Sequence, residues 1–256
     1  MNLMETLPAT NVAGRKPTEG TTAVVLAGGR GSRLHPYTLV VPKPLVPIGG
    51  ETLLQLLLKQ LRKSGVARVW LTLGYMGHLI RAVCEEGSRS GLTIDYFEEP
   101  EPLGTVGCLQ LLRAHLPETF LVTNGDIVAD VNLREMLDFH KSHGGVATIG
   151  CVKKRFSIDY GVIRVNGGNR ITSFAEKPAE ELLVNMGVYV VDRRVTQYIP
   201  AGVSFGMDDL IRALLDAGEE VHAYAHGGYW HDIGSVQDLG SVQESFENLR
   251  ERVLGN

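Results

Sequence analysis

Cysteine is scarce in this sequence of 256 residues: Cys84, Cys108 and Cys151 are an odd set, far apart and without C-x-x-C spacing. A disulfide framework and a zinc ribbon are thereby excluded, and a reducing, cytoplasmic compartment is expected. No apolar run approaches the ~18 residues that suggest a membrane-spanning helix, so no membrane association is expected. Residues 1–21 carry Glu5, Pro8, Arg15 and Pro17 and lack an apolar stretch. They read as a flexible N-terminal leader and not as a secretory signal. Basic charge is also lacking, with 25 Lys and Arg against 29 Asp and Glu and a formal net charge of −4. Nucleic-acid binding normally needs a basic surface, so nucleic acid is not an expected partner. Proline numbers only 11 and no G-X-Y period exists, which excludes collagen-like and low-complexity chains.

Glycine, by contrast, is abundant: 30 of 256 residues, against a usual ~7%. A chain of this length buries a full core without staples, so the surplus belongs to backbone geometry. From residue 22 the pattern alternates between strand and helix. Thr22–Ala27 reads as a strand buried on both faces, and residues 28–50 as a long Gly/Pro-rich loop. Glu51–Lys63 is amphipathic and stops before Ser64-Gly65, as a helix does. A strand at Ala67–Leu73, a helix around His78–Glu86, a strand at Leu92–Phe97, a helix at Gly104–Leu116 and a strand at Phe120–Thr123 follow. This rhythm predicts an α/β fold with a parallel-rich sheet. The second half adds a helix at Asn132–His143 and a strand at Val146–Val152. Val162–Val165 and Ile171–Phe174 form a hairpin about Asn166-Gly167-Gly168-Asn169. A strand at Leu183–Val191, a helix at Met207–Ala217, a strand at Val221–Ala225 and a helix at Val236–Arg252 complete the chain. Neither a repeat nor a linker interrupts it, so residues 22–256 are expected to form one domain, whose second half covers the mouth of the first.

The strongest local signal follows the first strand: Leu26-Ala27-Gly28-Gly29-Arg30-Gly31-Ser32-Arg33-Leu34, continuing to Pro42-Lys43-Pro44-Leu45. The carboxyl end of such a strand faces the crevice where open α/β sheets bind ligands. Gly28, Gly29 and Gly31 let backbone N–H groups approach phosphate oxygens. Arg33 can neutralise charge bidentately and Lys43 as a point charge. A dinucleotide-binding fingerprint needs a third glycine where Leu34 stands and a helix opening at once. Pro36, Pro42, Pro44 and Pro47 forbid that helix. A P-loop is excluded because no GK[ST] follows.

The string over residues 26–49 resembles that of the sugar-1-phosphate nucleotidyltransferases, LAGGxGxRLxPxTxxxPKPLxPIxG, and the likeness runs from Thr22 to the last helix. The resemblance implies a Rossmann-like nucleotidyltransferase fold with a mixed, mostly parallel central sheet flanked by helices. It further implies Mg²⁺ dependence and the reaction of an NTP with a sugar-1-phosphate to give an NDP-sugar and pyrophosphate. Leu26, the three glycines and Arg33 are carried over as nucleotide-binding residues, with Arg33, Lys43 and Asp126 as the catalytic set. Asp126 follows a buried strand, and Asp232 lies in Tyr229-Trp230-His231-Asp232-Ile233-Gly234. Mg²⁺ takes one or two carboxylates plus phosphate oxygens, and the resemblance assigns both aspartates to the metal. His231, the neighbour of Asp232, points away by strand alternation.

On the sugar side, Asp159-Tyr160-Gly161-Val162 and Phe174-Ala175-Glu176-Lys177-Pro178 resemble the family's YGV and EKP segments, which brings in Gly161, Glu176 and Lys177. Asn185, in Val184-Asn185-Met186-Gly187, resembles a segment lining the same pocket. For the base, the segment from Glu98 through Glu99, Pro100, Glu101, Pro102 and Leu103 to Gly104 and Thr105 looks like that of mannose-1-phosphate and heptose-1-phosphate guanylyltransferases. It departs from them in the proline at 100 and in Val106. Guanine offers adjacent N1–H and N2–H₂ donors that the Glu99 carboxylate can accept together, which favours GTP. A cytidylyl-, uridylyl- or thymidylyltransferase and a non-catalytic nucleotide-sugar-binding subunit of the same fold are the alternatives. Ending near residue 256, the chain is expected to lack the C-terminal β-helix domain of longer relatives. Members of the family are often dimers or tetramers, so a homo-oligomer is compatible with the resemblance.

Overall fold

The computed structural model describes residues 20–87, 90–99 and 101–254; the leader up to Pro17 and the proline at 100 singled out above lie outside them. The chain runs β1 (Thr21–Ala27), β2 (Pro47–Ile48), β3 (Glu51–Thr52), α1 (Leu53–Lys63), β4 (Val66–Leu73), α2 (Gly77–Cys84) and β5 (Thr93–Glu98). Then come α3 (Gly107–Leu112), β6 (Thr119–Asn124), β7 (Ile127–Ala129), α4 (Leu133–His143) and β8 (Ala147–Ser157). They are followed by β9 (Val162–Val165), β10 (Ile171–Ala175), β11 (Ala179–Asp192), α5 (Met207–Asp216), β12 (Val221–His226), β13 (Trp230–Asp232) and α6 (Val236–Leu254).

Seven strands form the central sheet in the order β12-β8-β11-β6-β1-β4-β5. All neighbours pair in parallel except β11, which runs antiparallel to both β8 and β6. The mixed, mostly parallel sheet is the expected one. Its central strand explains the unbroken apolar run of residues 22–27. Ala23, Val25 and Ala27 pack toward α1, α2 and α4, while Val24 packs on the opposite face with α3 and α5. A third cluster joins Leu53 and Leu56 of α1 to Leu239, Val242 and Phe246 of α6 and to Leu34, Val46 and Ile48 of the loop. The closing helix thus clamps the loop that follows β1.

Several boundaries differ from the sequence pattern. Helix α1 begins at Leu53 because Thr52 and Gln55 close a capping box: Gln55 N donates to Thr52 Oγ1 (3.2 Å) and Thr52 N to Gln55 Oε1 (2.9 Å). The helix expected from Gly104 begins at Gly107 instead. Gly104 has φ +74° and lies so near Phe205 that an added Cβ would stand 2.6 Å from its carbonyl oxygen. The short ribbon of β7 and β13 escapes the sequence pattern altogether. Strands β8 and β11 run on past the sheet as a two-stranded arm, pairing from Lys153↔Leu183 to Ser157↔Ala179, with the β9–β10 hairpin at its tip. This arm is largely exposed from Lys153 to Leu183, and its root meets β13 where Lys154 sits 4.7 Å over the Trp230 ring. Among the described residues no helix is long and apolar enough to cross a membrane.

Candidate active site

The site forms where β1, β6 and β13 end. Gly125 N donates to Leu26 O at 3.0 Å, pressing the turn after β6 against the end of β1. In the β7–β13 ribbon Ile127 pairs with Asp232, and Ile233 N donates to Asp126 O at 3.2 Å. This ladder brings two aspartates distant in sequence side by side. Lys43 reaches the same point from the proline-rich segment, which is tucked beneath the glycine loop. Gly31 has φ +60°, and a Cβ there would lie 2.9 Å from Lys43 Cβ and 3.1 Å from Thr38 Cγ2. Thr38 Oγ1 donates to Gly31 O (2.9 Å) and holds the two segments together. Glycine is needed at 31 both for the left-handed backbone and for the space Lys43 occupies.

Lys43 is buried, and its Nζ donates to Asp126 Oδ2 at 2.5 Å. The other oxygen of Asp126, Oδ1, is buried without a hydrogen-bond partner. Burial pushes the Asp232 carboxyl above the usual carboxylate range, and the charge of Asp126 adds to the rise against the opposing Lys43 and Arg33. Arg33 is exposed, with Nη1 3.4 Å from the Cβ position of Gly234 beside Asp232. Gly29 and Arg30 make no hydrogen bond with the described residues, which leaves their N–H groups open. Two carboxylates, two cations and unpaired backbone donors therefore converge. His231 is turned to Asp238 (3.5 Å).

Two cavities meet here, sharing Leu26, Gly29 and Asp126 as walls. The smaller, about 250 Å³, is lined by Gly31, Arg33 and Lys43. The larger, about 610 Å³, extends past Gly28 to Glu99, Gly104 and Thr105. Glu99 is half-buried, and Leu103 N donates to its Oε2 at 3.2 Å. Burial raises its carboxyl above the usual range while that hydrogen bond opposes the rise. The hydroxyl of Thr105 is already engaged, accepting from Met207 N (2.7 Å) at the start of α5. Thr72, Tyr75 and Asn124 also line this cavity, although the sequence pattern did not single them out. Their signal was available, because each lies at the carboxyl end of β4 or β6, where such sheets bind ligands. A further cavity of about 690 Å³, between α1 and residues Val83, Cys84 and Ile94, holds none of the predicted residues.

The predicted sugar-side residues form a second group. Gly161, Glu176 and Lys177 are exposed on the arm and line neither cavity at the aspartates. Glu176 Oε2 is 3.1 Å from the Cβ position of Gly161. Lys177 has φ +44° although it is not glycine and precedes Pro178, a conformation that stores strain. Asn185 is exposed at the root of the arm, where its Oδ1 accepts from Gly187 N (2.9 Å) and its Nδ2 donates to Tyr189 Oη (2.7 Å).

The donor set of the first group suits a hard cation held partly by substrate. Two adjacent carboxylates, one with an unpartnered oxygen, are what Mg²⁺ uses alongside phosphate oxygens and water. Among the described residues no cluster of three or more His, Cys, Asp or Glu forms a closed metal cage.

The sequence profile of the nucleotidyl transferase family matches residues 22–248. A mannose-1-phosphate guanylyltransferase of Mycobacterium tuberculosis is 34% identical over 229 residues, covering 87% of this chain and 63% of that protein. A UTP–glucose-1-phosphate uridylyltransferase of Synechocystis is 32% identical, covering 84% of this chain and 61% of that protein. The chain thus spans about six-tenths of the length of these relatives. Among solved structures, HddC from Yersinia pseudotuberculosis complexed with GMP-PN superposes with a TM-score of 0.69 at 25% identity, over 88% of this chain and 99% of that one.

Proposed function

The chain belongs to the nucleotidyl transferase family, and from that premise we propose that it transfers a nucleoside monophosphate from an NTP, GTP by preference, to a sugar-1-phosphate. The observation that carries this reading is the convergence of Arg33, Lys43, Asp126 and Asp232 beside the glycine loop.

A sugar-1-phosphate presents an anionic oxygen at neutral pH, so the attack needs no strong base. The obstacle is the approach of one anion to the α-phosphate of another, and positioning with charge neutralisation overcomes it. An oxygen of the sugar phosphate forms a bond to the α-phosphorus as the bridging bond from α-phosphorus to the leaving oxygen breaks. The NDP-sugar and pyrophosphate result, with inversion at phosphorus. The open N–H groups of the glycine loop and Arg33 receive the charge of the leaving pyrophosphate. Lys43 serves the α-phosphate or the attacking phosphate. Asp126 and Asp232 would hold Mg²⁺, which when bound would neutralise phosphate charge. Glu99 accepts from the base, its free lone pairs matching the two adjacent donors of guanine. Glu176 and Lys177 serve the sugar phosphate from the arm, and the strained backbone at Lys177 supports a functional role for that segment.

Relatives named for guanylyl and for uridylyl transfer are about equally similar to this chain, so the preference for GTP rests on Glu99. The direct test is pyrophosphate release from a panel of NTPs, each offered with several sugar-1-phosphates. Release with GTP and a hexose- or heptose-1-phosphate is the expected outcome. Release with no pair would refute the enzymatic reading, and preference for CTP or UTP would refute the role of Glu99. The N-terminal leader, the single-domain organisation of residues 22–256 and a cytoplasmic location belong to the same proposal.

A further inference from the structure

Three residue pairs hold β13 to β7, and this ribbon is a sheet of its own. A two-stranded ladder so short is marginal in water, yet its register decides where Asp232 points. A slip of one residue would set His231 or Ile233 opposite Ile127 and turn the Asp232 carboxylate to the other face. The approach to β13 adds freedom, because Gly227-Gly228 precede it and glycine loses the most conformational entropy on ordering. Groups outside the ladder must therefore fix the ribbon. Trp230 Nε1 donates to Met186 O at 2.8 Å and ties the middle of β13 to β11. The entry to β13, next to the two glycines, needs a separate anchor.

Asp130, the residue after β7, supplies it. Its N donates to Tyr229 O at 3.1 Å, and Tyr229 N donates back to its Oδ1 at 2.6 Å. The same oxygen accepts from Nε2 of His226, the last residue of β12, at 2.8 Å. A carboxylate only accepts, so the proton of that bond sits on Nε2. Both ends of the turn from β12 to β13 are thus tied to one oxygen. The carboxylate fits because residue 228 is glycine, where a Cβ would collide with Oδ1. The Asp130 and His226 side chains are only 12% and 11% exposed. Asp130 Oδ2 accepts from Arg252 Nη2 of α6 at 2.7 Å, but Arg252 is 55% exposed and solvent screens this pair. The two bonds to Oδ1 dominate.

We propose that Asp130 is a positioning residue for the transfer: through Oδ1 it fixes the entry to β13 and so holds the Asp232 carboxylate beside Asp126. That the ordered pair serves a divalent cation rests on the proposed function, while the ordering itself does not. The Ile233 N–H, bonded to Asp126 O at 3.2 Å, reports on this adjacency. The experiment is amide hydrogen exchange by NMR on the ligand-free full chain labelled with ¹⁵N-isoleucine, together with a Mn²⁺ titration followed by electron paramagnetic resonance. D130A is expected to speed exchange at Ile233 by about tenfold or more, the worth of a hydrogen bond to a charged group. Mn²⁺ binding should weaken by a similar factor, with the isoleucines of the central sheet unchanged. Should D130A unfold, the His226 variants decide: H226A is expected to speed exchange at Ile233, and H226Q, whose amide can donate in place of Nε2, to restore it. Exchange at Ile233 that is unchanged, or that rises together with the central-sheet isoleucines, would overturn the proposal, as would Mn²⁺ bound equally by D130A and wild type. Wild type that binds no Mn²⁺ would refute the metal pair, with Ile233 exchange still deciding the role of Asp130. Pyrophosphate release enters neither readout, so the two readings fail separately.

Discussion

Removing the charge of Lys43 is the most informative perturbation of the site. Its Nζ lies 2.5 Å from Asp126 Oδ2, with the side chains 10% and 24% exposed, so this is a largely buried ion pair. Asp232 stands beside it with a carboxyl already raised by burial and by Asp126. Lys43→Met keeps the length of the stem but leaves two neighbouring carboxylates with only the exposed Arg33 as counter-charge. Breaking a fully buried pair costs about 3–5 kcal/mol; allowing for partial exposure, we expect about 2–3 kcal/mol here. For a domain of this size 1 kcal/mol moves the melting temperature by about 2–4 °C, so a fall of roughly 5–10 °C is expected. The assay is thermal unfolding by circular dichroism in EDTA. Because the cost is repulsion and not lost packing, Asp126→Asn in the Lys43→Met background should recover most of the loss. Mg²⁺ at millimolar concentration should do the same without a second substitution. Lys43→Met with an unchanged melting temperature, or a loss that neither Asp126→Asn nor Mg²⁺ relieves, would refute the electrostatic reasoning.

The remaining predictions follow from the same geometry. Asp232→Asn should abolish turnover, by about 10²-fold or more, yet raise the melting temperature of the ligand-free protein at neutral pH. The sign follows from linkage: the folded carboxyl titrates higher than the unfolded one, so its contribution is favourable at low pH and is lost as pH rises through the folded value. Scanning melting temperature from pH 3 to 8 should show that loss in wild type and not in the variant. Glu99→Gln should lower kcat/KM for GTP by about 10–100-fold, the worth of a charged hydrogen bond, with a smaller effect for UTP in the same pyrophosphate assay. Arg33→Ala should depress kcat more than it raises KM for the sugar-1-phosphate, since its partner charge develops on the leaving group. Cys84, Cys108 and Cys151 are free, and burial pushes Cys84 up to about 11 and Cys108 to about 12. Maleimide treatment of the native protein at pH 7 should therefore leave turnover unchanged.

What could be read from the sequence depended on how local the cause was. The residues of β1 are apolar without a break because both faces are covered, and that pattern needs no tertiary knowledge. Asn132 accepts from the N–H groups of Arg134 and Glu135 as a cap, so the start of α4 was also visible. The β7–β13 ribbon was not, because three residues carry no usable period and its partners lie far apart in sequence. The arm was read short for a related reason. Residues Lys153 to Ser157 and Ala179 to Leu183 are exposed, so no buried face imposes an alternation; pairing alone makes them strands.

The site divides along the same line, and the division bears on mechanism. Asp126 and Asp232 were legible as residues at strand ends, and Arg33 and Lys43 as cations near glycines. The link between Lys43 and Asp126 was not, since it depends on how the proline-rich turns stack under Gly31. That link makes the lysine a counter-charge for the ligand-free protein. It balances one carboxylate, while Asp232 stays raised and Asp126 Oδ1 stays unpartnered. The fold therefore sets two half-buried carboxylates, balanced by Lys43 and the exposed Arg33, where the proposed substrates are themselves anions. On the proposed chemistry the divalent cation binds before or with the substrate phosphates, because anions alone do not suit two adjacent carboxylates. On the same chemistry, a cation on the aspartates would release Lys43 from Asp126 toward phosphate. An ordered dependence should result: nucleotide should bind weakly to the ligand-free protein in EDTA, and calorimetric affinity for GTP should rise at least tenfold with Mg²⁺. Asp126→Asn should weaken that dependence by removing half of the charge that creates it. Equal GTP affinity with and without Mg²⁺ in wild type would sever the connection between the observed ion pair and the proposed chemistry.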